Sequence, residues 1–132
     1  AGAGGAAEPP EFLFGEESPV WMRDFSAPCP HPKASAELDT VLARLGARRM
    51  VVGHTPQPRG INAHVTPGGG EVWRCDTGMS AGVISGPREV LEILPAAAAG
   101  EGQVRVLTAA GPIPGDVRRR RGPPAHPRPA PG

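Results

Sequence analysis

The stretch that decides the fold is ASAELDTVLARLGARRMVVGHTP, which runs from Ala34 to Pro56. Its first half has apolar residues at the spacing i, i+3, i+4 and i+7, which predicts an amphipathic helix with one buried face. These residues are Leu38, Val41, Leu42 and Leu45. Ser35 is a suitable N-cap, and Gly46 is suited to the left-handed conformation that ends many helices.

The second half of this stretch predicts a strand that ends at a candidate site. Met50, Val51 and Val52 form a continuous apolar run, which is typical of a strand buried on both faces. Gly53 and His54 follow directly. We therefore expect them at the carboxyl end of the strand, the edge of an α/β sheet where ligands usually bind.

Further strand-like segments lie on both sides of this stretch. They are Val20–Phe25 (VWMRDF), Val72–Asp76 (VWRCD), Glu89–Leu94 (EVLEIL) and Gln103–Thr108 (QVRVLT). Pro28, Pro30 and Pro32 disfavour regular structure across residues 27–33. The predicted order is one helix, one buried strand and then a β-meander, which is an α/β arrangement.

Composition sets the expected limits of the folded part. The 132 residues include 19 Gly and 18 Pro, and many of these lie near the two ends of the chain. We predict a flexible segment over residues 1–17, a folded part over 18–108 and a disordered Pro/Arg-rich tail over 109–132. The run Arg118–Arg121 in this tail is interpreted as a solvated linker rather than a nucleic-acid site.

Charge, hydropathy and cysteine content exclude several classes of protein. The net charge of +1 gives no overall field that would favour nucleic acid or a membrane surface. No apolar run approaches the roughly 18 residues that a membrane-spanning helix needs. The two cysteines, Cys29 and Cys75, make no disulfide framework, which predicts a reduced, intracellular protein.

His54 is the first candidate for chemistry. A histidine held between Gly53 and Thr55 after a buried strand has a fixed backbone, which suits a metal ligand. A histidine that only caps a turn is the plainer interpretation of the same position. The other histidines, His31, His64 and His126, are expected in loops or in the tail and supply no further ligand spacing.

A family resemblance extends the interpretation of His54. LGARRMVVGHTPQPRGIN, from Leu45 to Asn62, is similar to the final metal-site segment of the calcineurin-like metallophosphoesterases, and most of all to the Shewanella-like protein phosphatases. Three further segments resemble the family in the same order. They are Ser18–Ser26 (SPVWMRDFS), Arg74–Ser80 (RCDTGMS) and Glu89–Ile93 (EVLEI). Four ordered segments are far more specific than GHT alone.

The resemblance implies a fold, a reaction and two site residues. The fold would be the C-terminal part of an α/β/β/α sandwich, and the reaction would be hydrolysis of a phosphoprotein or another phosphomonoester. His54 would ligate one of two metal ions, manganese, iron or zinc, which together activate a hydroxide. Arg23 would contact the substrate phosphate, because a guanidinium fork fits phosphate oxygens. The resemblance leaves the intracellular compartment open, since the cytoplasm and a plastid both fit, and the charge and hydropathy predict no nucleic-acid or membrane partner.

The sequence lacks the family's remaining signatures. GDxHG, GDxxDRG, GNHE and the HGG segment, which carry nearly all the metal ligands, are absent. One histidine cannot hold two metal ions, because such sites need several convergent ligands. The expectation is therefore a fragment of a phosphatase that is inactive as this chain alone.

Two alternatives stay open at this point. One is a non-catalytic binding or scaffold module derived from the same fold. The other is an aspartic protease, because Asp76-Thr77-Gly78 has the signature of an enzyme in which two chains each supply a carboxylate. The residues before Asp76 are not the apolar run that such a dyad needs, which disfavours the protease.

Overall fold

The computed structural model describes residues 8–27, 30–95 and 102–121. The elements are a 3₁₀ turn (Glu11–Leu13), α1 (Pro32–Leu45), β1 (Arg49–Val52), β2 (Asn62–Val65), β3 (Glu71–Arg74), β4 (Val90–Ile93), β5 (Val104–Thr108), β6 (Gly111–Pro114), α2 (Gly115–Arg118) and β7 (Arg119–Arg121). The predicted α/β class is confirmed. No helix in the described part of the chain is long and apolar enough to cross a membrane.

The strands form two sheets. Sheet A has the order β1-β3-β2-β7, with β1 parallel to β3, β2 antiparallel to β3, and β2 parallel to β7. Sheet B is an antiparallel meander of β4, β5 and β6. The predicted meander is therefore correct for β4 and β5, whereas β3 belongs to the other sheet.

Two apolar clusters join three layers. The first lies between α1 and sheet A and contains Leu38, Leu42 and Val72. The second lies between sheets A and B and contains Trp73 and Val106. Val72 and Trp73 are neighbours in β3 and point to opposite faces, because side chains alternate along a strand. The layer order is α1, sheet A, sheet B.

The start of α1 differs from the prediction. The helix begins at Pro32, and the N-cap is His31, whose Nδ1 accepts a hydrogen bond from the Lys33 backbone N–H at 3.2 Å. Proline is tolerated at the first helical position, because that N–H would have no partner in the helix. The predicted N-cap, Ser35, instead lies inside the helix and is buried. Gly46 ends the helix in the left-handed conformation, as predicted, with φ of 60°.

Only part of the predicted apolar stripe of α1 is covered. Leu38 is 0% and Leu42 4% exposed, but Val41 is 37% and Leu45 72% exposed. The buried face instead follows Ala34, Leu38 and Leu42 at intervals of four residues. The helix therefore lies on sheet A with a narrower contact than the spacing indicates.

The strand buried on both faces is β3 and not β1. All four residues of β3 are buried, because it has a strand on each side and a layer on each face. β1 lies at the edge of sheet A, and its Val51 is 52% exposed. The prediction of a fully buried β1 is thus wrong, although its position before Gly53 is correct.

β2 and β3 form a hairpin that the sequence prediction lacked. The turn between them is bound to α1 through the Asp39 carboxylate, which accepts hydrogen bonds from the Thr66 hydroxyl and from the backbone N–H groups of Gly68 and Gly70. His64, predicted to lie in a loop, is in β2 and is 2% exposed.

The segment that was predicted as a strand over Val20–Phe25 forms consecutive turns. Backbone N–H groups of Trp21 and Met22 bond to the Ser18 carbonyl at 3.0 and 2.8 Å. Met22 and Phe25 pack against α1, so the apolar residues of this segment serve the core without forming a ladder. Residues 28–29, which include Cys29, lie outside the described part.

The predicted boundary of the tail is also wrong in part. Residues 111–121 form β6, α2 and β7, and β6 pairs with β5 while β7 pairs with β2. Arg119 links this segment to the core, because it lies near the Glu71 carboxylate at 3.2 Å and over the Trp73 ring at 5.6 Å. The predicted disorder of residues 1–7 and 122–132 falls outside the described residues.

Candidate functional site

The candidate site lies where β1 and β3 end. Because these strands are parallel, their carboxyl ends meet at one edge of sheet A. The Cys75 N–H bonds to the Val52 carbonyl at 2.9 Å, and the Gln57 N–H bonds to the Asp76 carbonyl at 2.7 Å. The loops that follow the two strands are therefore joined to each other, and His54 lies in the first of them.

His54 is held in an unusual backbone conformation. Its φ is +67°, a left-handed value that is uncommon for a residue with a Cβ atom. The turn is closed by a hydrogen bond of 2.8 Å from the Thr55 N–H to the Gly53 carbonyl. The side chain is exposed to solvent beyond the end of β1. Such conformations are concentrated at functional sites.

The structure brings the two predicted site residues together. Arg23 Nη2 lies 3.5 Å from His54 Nε2, although the residues are 31 positions apart in the sequence. Since arginine can only donate, Nε2 is the accepting atom in this contact. At this length the contact is weak, so the imidazole lone pair is easily released to another partner.

Trp21 completes the exposed cluster. Its ring meets the His54 ring edge to face, with centroids 4.9 Å apart and planes at 89°. Trp21 is 53% exposed. We refer to Trp21, Arg23 and His54 as the carboxyl-edge cluster. It combines a cation, an imidazole and an apolar wall, which is a composition suited to an anionic group carried on a larger molecule.

A recess of about 360 Å³ opens beside Arg23. Its walls come from the segment around Ser26 and from the loop after His54. The lining residues are Arg23, Ser26, Ala27, Thr55, Pro56, Gln57 and Pro58. Arg23 therefore lines a concave surface while it remains exposed to solvent, and a concave surface is the usual setting of a ligand-binding side chain.

Gln57 is the residue of this site that the sequence prediction missed. Its side-chain Nε2 donates to the Thr55 carbonyl at 3.0 Å and to the Ser26 carbonyl at 3.4 Å. Its Oε1 accepts from Asn62 Nδ2 at 3.1 Å. Gln57 therefore ties the loop after His54 to the segment that carries Arg23. No local pattern indicates this role, because it depends on partners far apart in the sequence.

Asp76 and its neighbours form a closed turn. The Asp76 Oδ1 atom accepts a hydrogen bond from the Gly78 N–H at 2.9 Å, and Gly78 has φ of 58°. Burial raises the pKa of the adjacent Cys75 thiol, which keeps it protonated and weakly nucleophilic. Asp76 thus supports the edge on which His54 lies. A protease dyad would require a second carboxylate from another chain.

The other described histidines serve the fold. His31 caps α1. His64 Nε2 lies 3.0 Å from the Ser35 hydroxyl, and both groups are buried. Burial lowers the pKa of His64 below its ordinary 6.5, the Arg74 guanidinium lowers it further, and Asp39 acts in the opposite direction. His126 lies outside the described residues.

The residues that the structure describes do not by themselves fit a two-metal centre. Across 8–27, 30–95 and 102–121 there is no group of three or more His, Cys, Asp or Glu side chains that could hold a metal ion. The nearest polar side chain in contact with His54 is the cation Arg23. Any metal bound at His54 therefore needs ligands from beyond these residues.

A known protein phosphatase is similar to this chain over 85 of the 132 residues. The Shewanella-like protein phosphatase 2 of Arabidopsis thaliana is 40% identical over 85 residues, which is 64% of this chain and 21% of that protein. The chain thus spans about a fifth of the relative's length, and the similarity relates it to a protein phosphatase. No family model matches the sequence, and no solved structure matches it significantly.

Proposed function

We propose that this chain is the C-terminal part of a metal-dependent phosphoprotein phosphatase of the calcineurin-like type, and that the carboxyl-edge cluster faces the phosphate. The observation that carries the proposal is the 3.5 Å approach of Arg23 to His54 at the ends of two parallel strands. The 40% identity to a protein phosphatase supports the proposed reaction class. The full catalytic centre needs ligands that the described residues lack.

Each residue of the cluster has a proposed role. Arg23 binds phosphate oxygens, because its guanidinium is always charged and its recess is open. His54 presents Nε2 as one metal ligand once the weak contact to Arg23 is exchanged. Trp21 limits the rotation of the imidazole. The metal ions, when bound by the complete domain, would supply an activated hydroxide.

A chimaera tests this proposal directly. Residues 18–94 of this chain would replace the matching segment of the Arabidopsis phosphatase, and hydrolysis of p-nitrophenyl phosphate would be measured with manganese. We expect activity in the chimaera and a loss of at least about 100-fold in His54→Ala, since even residues that only orient metal ligands account for 10–100-fold. The 132-residue chain alone should show no turnover.

Matched variants separate the site from the fold. Arg23→Ala should lower kcat/KM by about 10–100-fold, and Arg23→Lys should restore only part of it, because a lysine cannot form the bidentate contact. Arg44→Ala, on the exposed surface of α1, should leave the activity unchanged. A folded chimaera without activity would contradict the proposal and favour a non-catalytic binding module.

A further inference from the structure

A second recess lies on the same loop as the recess beside Arg23. Gln57 and Pro58 line both. The second recess has a volume of about 630 Å³, and we call it the arginine groove. It is lined by Gln57, Pro58, Arg59, Gly60, Asn62, Ile113, Val117, Arg118 and Arg120. Four of these nine lining residues come from residues 113–120, a segment that composition alone assigns to a disordered tail.

Of the arginines from 118 to 120, two are bound to carboxylates and one is exposed. Arg118 Nη2 is bound to the Glu89 carboxylate at 2.7 Å, and Arg119 is bound to Glu71. Arg120 is exposed, as is Arg59 across the groove. Within the described residues, neither of these two side chains makes a hydrogen bond or an ion pair. The groove therefore holds two guanidinium groups whose charge is not locally neutralised.

The rest of the lining indicates the kind of anion. None of the described residues that line the groove carries a carboxylate, and the nearby Glu89 is occupied by Arg118 and by the Ile61 N–H at 2.7 Å. Apolar wall is supplied by Pro58, Ile113 and Val117, and Val117 is 69% exposed. No aromatic side chain lines the groove, so it offers no platform on which bases could stack.

The position of β7 indicates an extended ligand. Arg120 lies in β7, which, like β1, is an edge strand of sheet A in the described structure. An edge strand has unpaired backbone groups that an extended peptide can use. A volume of about 630 Å³ is also larger than a single inorganic anion needs.

We propose that the arginine groove binds an extended acidic peptide segment of a partner protein. Two of its carboxylates pair with Arg59 and Arg120, and one apolar side chain lies against Val117. The proposal uses residues outside the carboxyl-edge cluster and requires no phosphatase activity. A test of peptide binding is therefore independent of a test of the proposed phosphatase function.

Binding of a labelled peptide by the full 132-residue chain tests the proposal. The probe is a fluorescein-labelled ten-residue peptide of alternating glutamate and leucine, measured by anisotropy at low salt. We expect Arg59→Glu/Arg120→Glu to weaken binding at least about tenfold, because each contact becomes repulsive. Arg59→Gln/Arg120→Gln should weaken it less. Unchanged binding of the peptide by Arg59→Glu/Arg120→Glu would overturn the proposal.

Three controls make the result specific. Arg44→Glu/Arg88→Glu changes the net charge equally at exposed positions outside the groove, and an equal loss in this variant would overturn the proposal. Val117→Ser should weaken the leucine-containing peptide but not a glutamate–glycine peptide. Tighter binding of ten-nucleotide polyuridine RNA than of the acidic peptide would also overturn it. Circular dichroism would show that each variant is folded.

Discussion

The carboxyl-edge cluster and the buried polar network of sheet A use the same residue types in opposite ways. His54 is exposed, has a positive φ, and makes one weak contact with Arg23. His64 is buried and lies at hydrogen-bonding distance from Ser35. The buried polar network consists of two groups of residues. His64, Ser35, Asp39 and Thr66 lie on the face of sheet A that packs against α1, and Glu71, Arg49 and Arg119 lie on the opposite face.

The difference separates residues that hold the fold from residues that are free to bind. Burying a polar group is costly unless it is hydrogen-bonded, so the imidazole and the two carboxylates of the network have partners within the fold. Glu71 shows this well. Burial acts to raise its pKa, but the Trp73 indole N–H, Arg119 and Arg49 together hold the pKa below its ordinary 4.5. The edge cluster has no comparable internal partners among the described residues.

Of the substitutions that test this difference, His64→Ala should change the stability of the chain most. Removing a buried imidazole leaves a cavity and leaves the Ser35 hydroxyl without its partner. We expect the free energy of unfolding to fall by about 2–3 kcal/mol. Urea unfolding of the chain would measure it. A loss below about 0.5 kcal/mol would contradict the structural role of His64, and His54→Ala, the matched control, should remain within that limit.

A smaller effect is expected from Arg119→Ala. Arg119 contacts the Glu71 carboxylate at 3.2 Å and the Trp73 ring at 5.6 Å. Glu71 keeps Arg49 as a partner, so the loss should be about 1–2 kcal/mol rather than that of an unpaired buried charge. Urea unfolding would measure this change too. Equal stability of Arg119→Ala and the parent chain would show that β7 does not contribute to the core.

The pH dependence of stability gives a graded test. The pKa of His64 in the folded chain lies below 6.5, its ordinary value in the unfolded chain. Between the folded pKa and 6.5, the unfolded chain therefore binds more protons than the folded chain, and the free energy of unfolding falls as the pH is lowered. The contribution of Glu71 acts in the same direction but only as the pH falls below 4.5. Melting temperatures from pH 7.5 to 5.5 should decline in the parent and be flatter in His64→Gln. A parallel decline in both would contradict this assignment.

The smallest effect concerns the strained backbone of the edge cluster. His54→Gly removes the unfavourable contact of Cβ at φ of +67°, which is worth roughly 1 kcal/mol, but it also increases the entropy of the unfolded chain. We expect a variant that is between equally stable and about 1 kcal/mol more stable. Calorimetry would measure the change. A clear destabilisation would mean that the His54 side chain supports the fold.

Local sequence patterns predict which helices and strands form better than they predict how deeply each element is buried. The spacing of Leu38 and Leu42 and the stop at Gly46 were sufficient for α1, and the apolar run before Gly53 was sufficient for β1. The burial of β1 was mispredicted, because an edge or central position depends on which strands pair across the sheet. That information is not local.

Two other errors have a similar origin. Proline and glycine in Gly111–Pro114 suggested disorder, yet Ile113 is paired opposite Val106 and packs into the second apolar cluster. Gln57 carried no signal, since its partners are distant in sequence. Of the site itself, Arg23 and His54 were named from the family resemblance, and their proximity was not predicted.

The metal content of the purified chimaera shows whether His54 binds a metal ion. We propose that His54 is one metal ligand of a phosphatase centre completed by residues outside the described part. Purified chimaera should contain about two metal ions per chain, as a two-metal centre requires, and His54→Ala about one or fewer. His31→Ala should keep two. A His54→Ala chimaera that retains both ions and full activity would contradict the account.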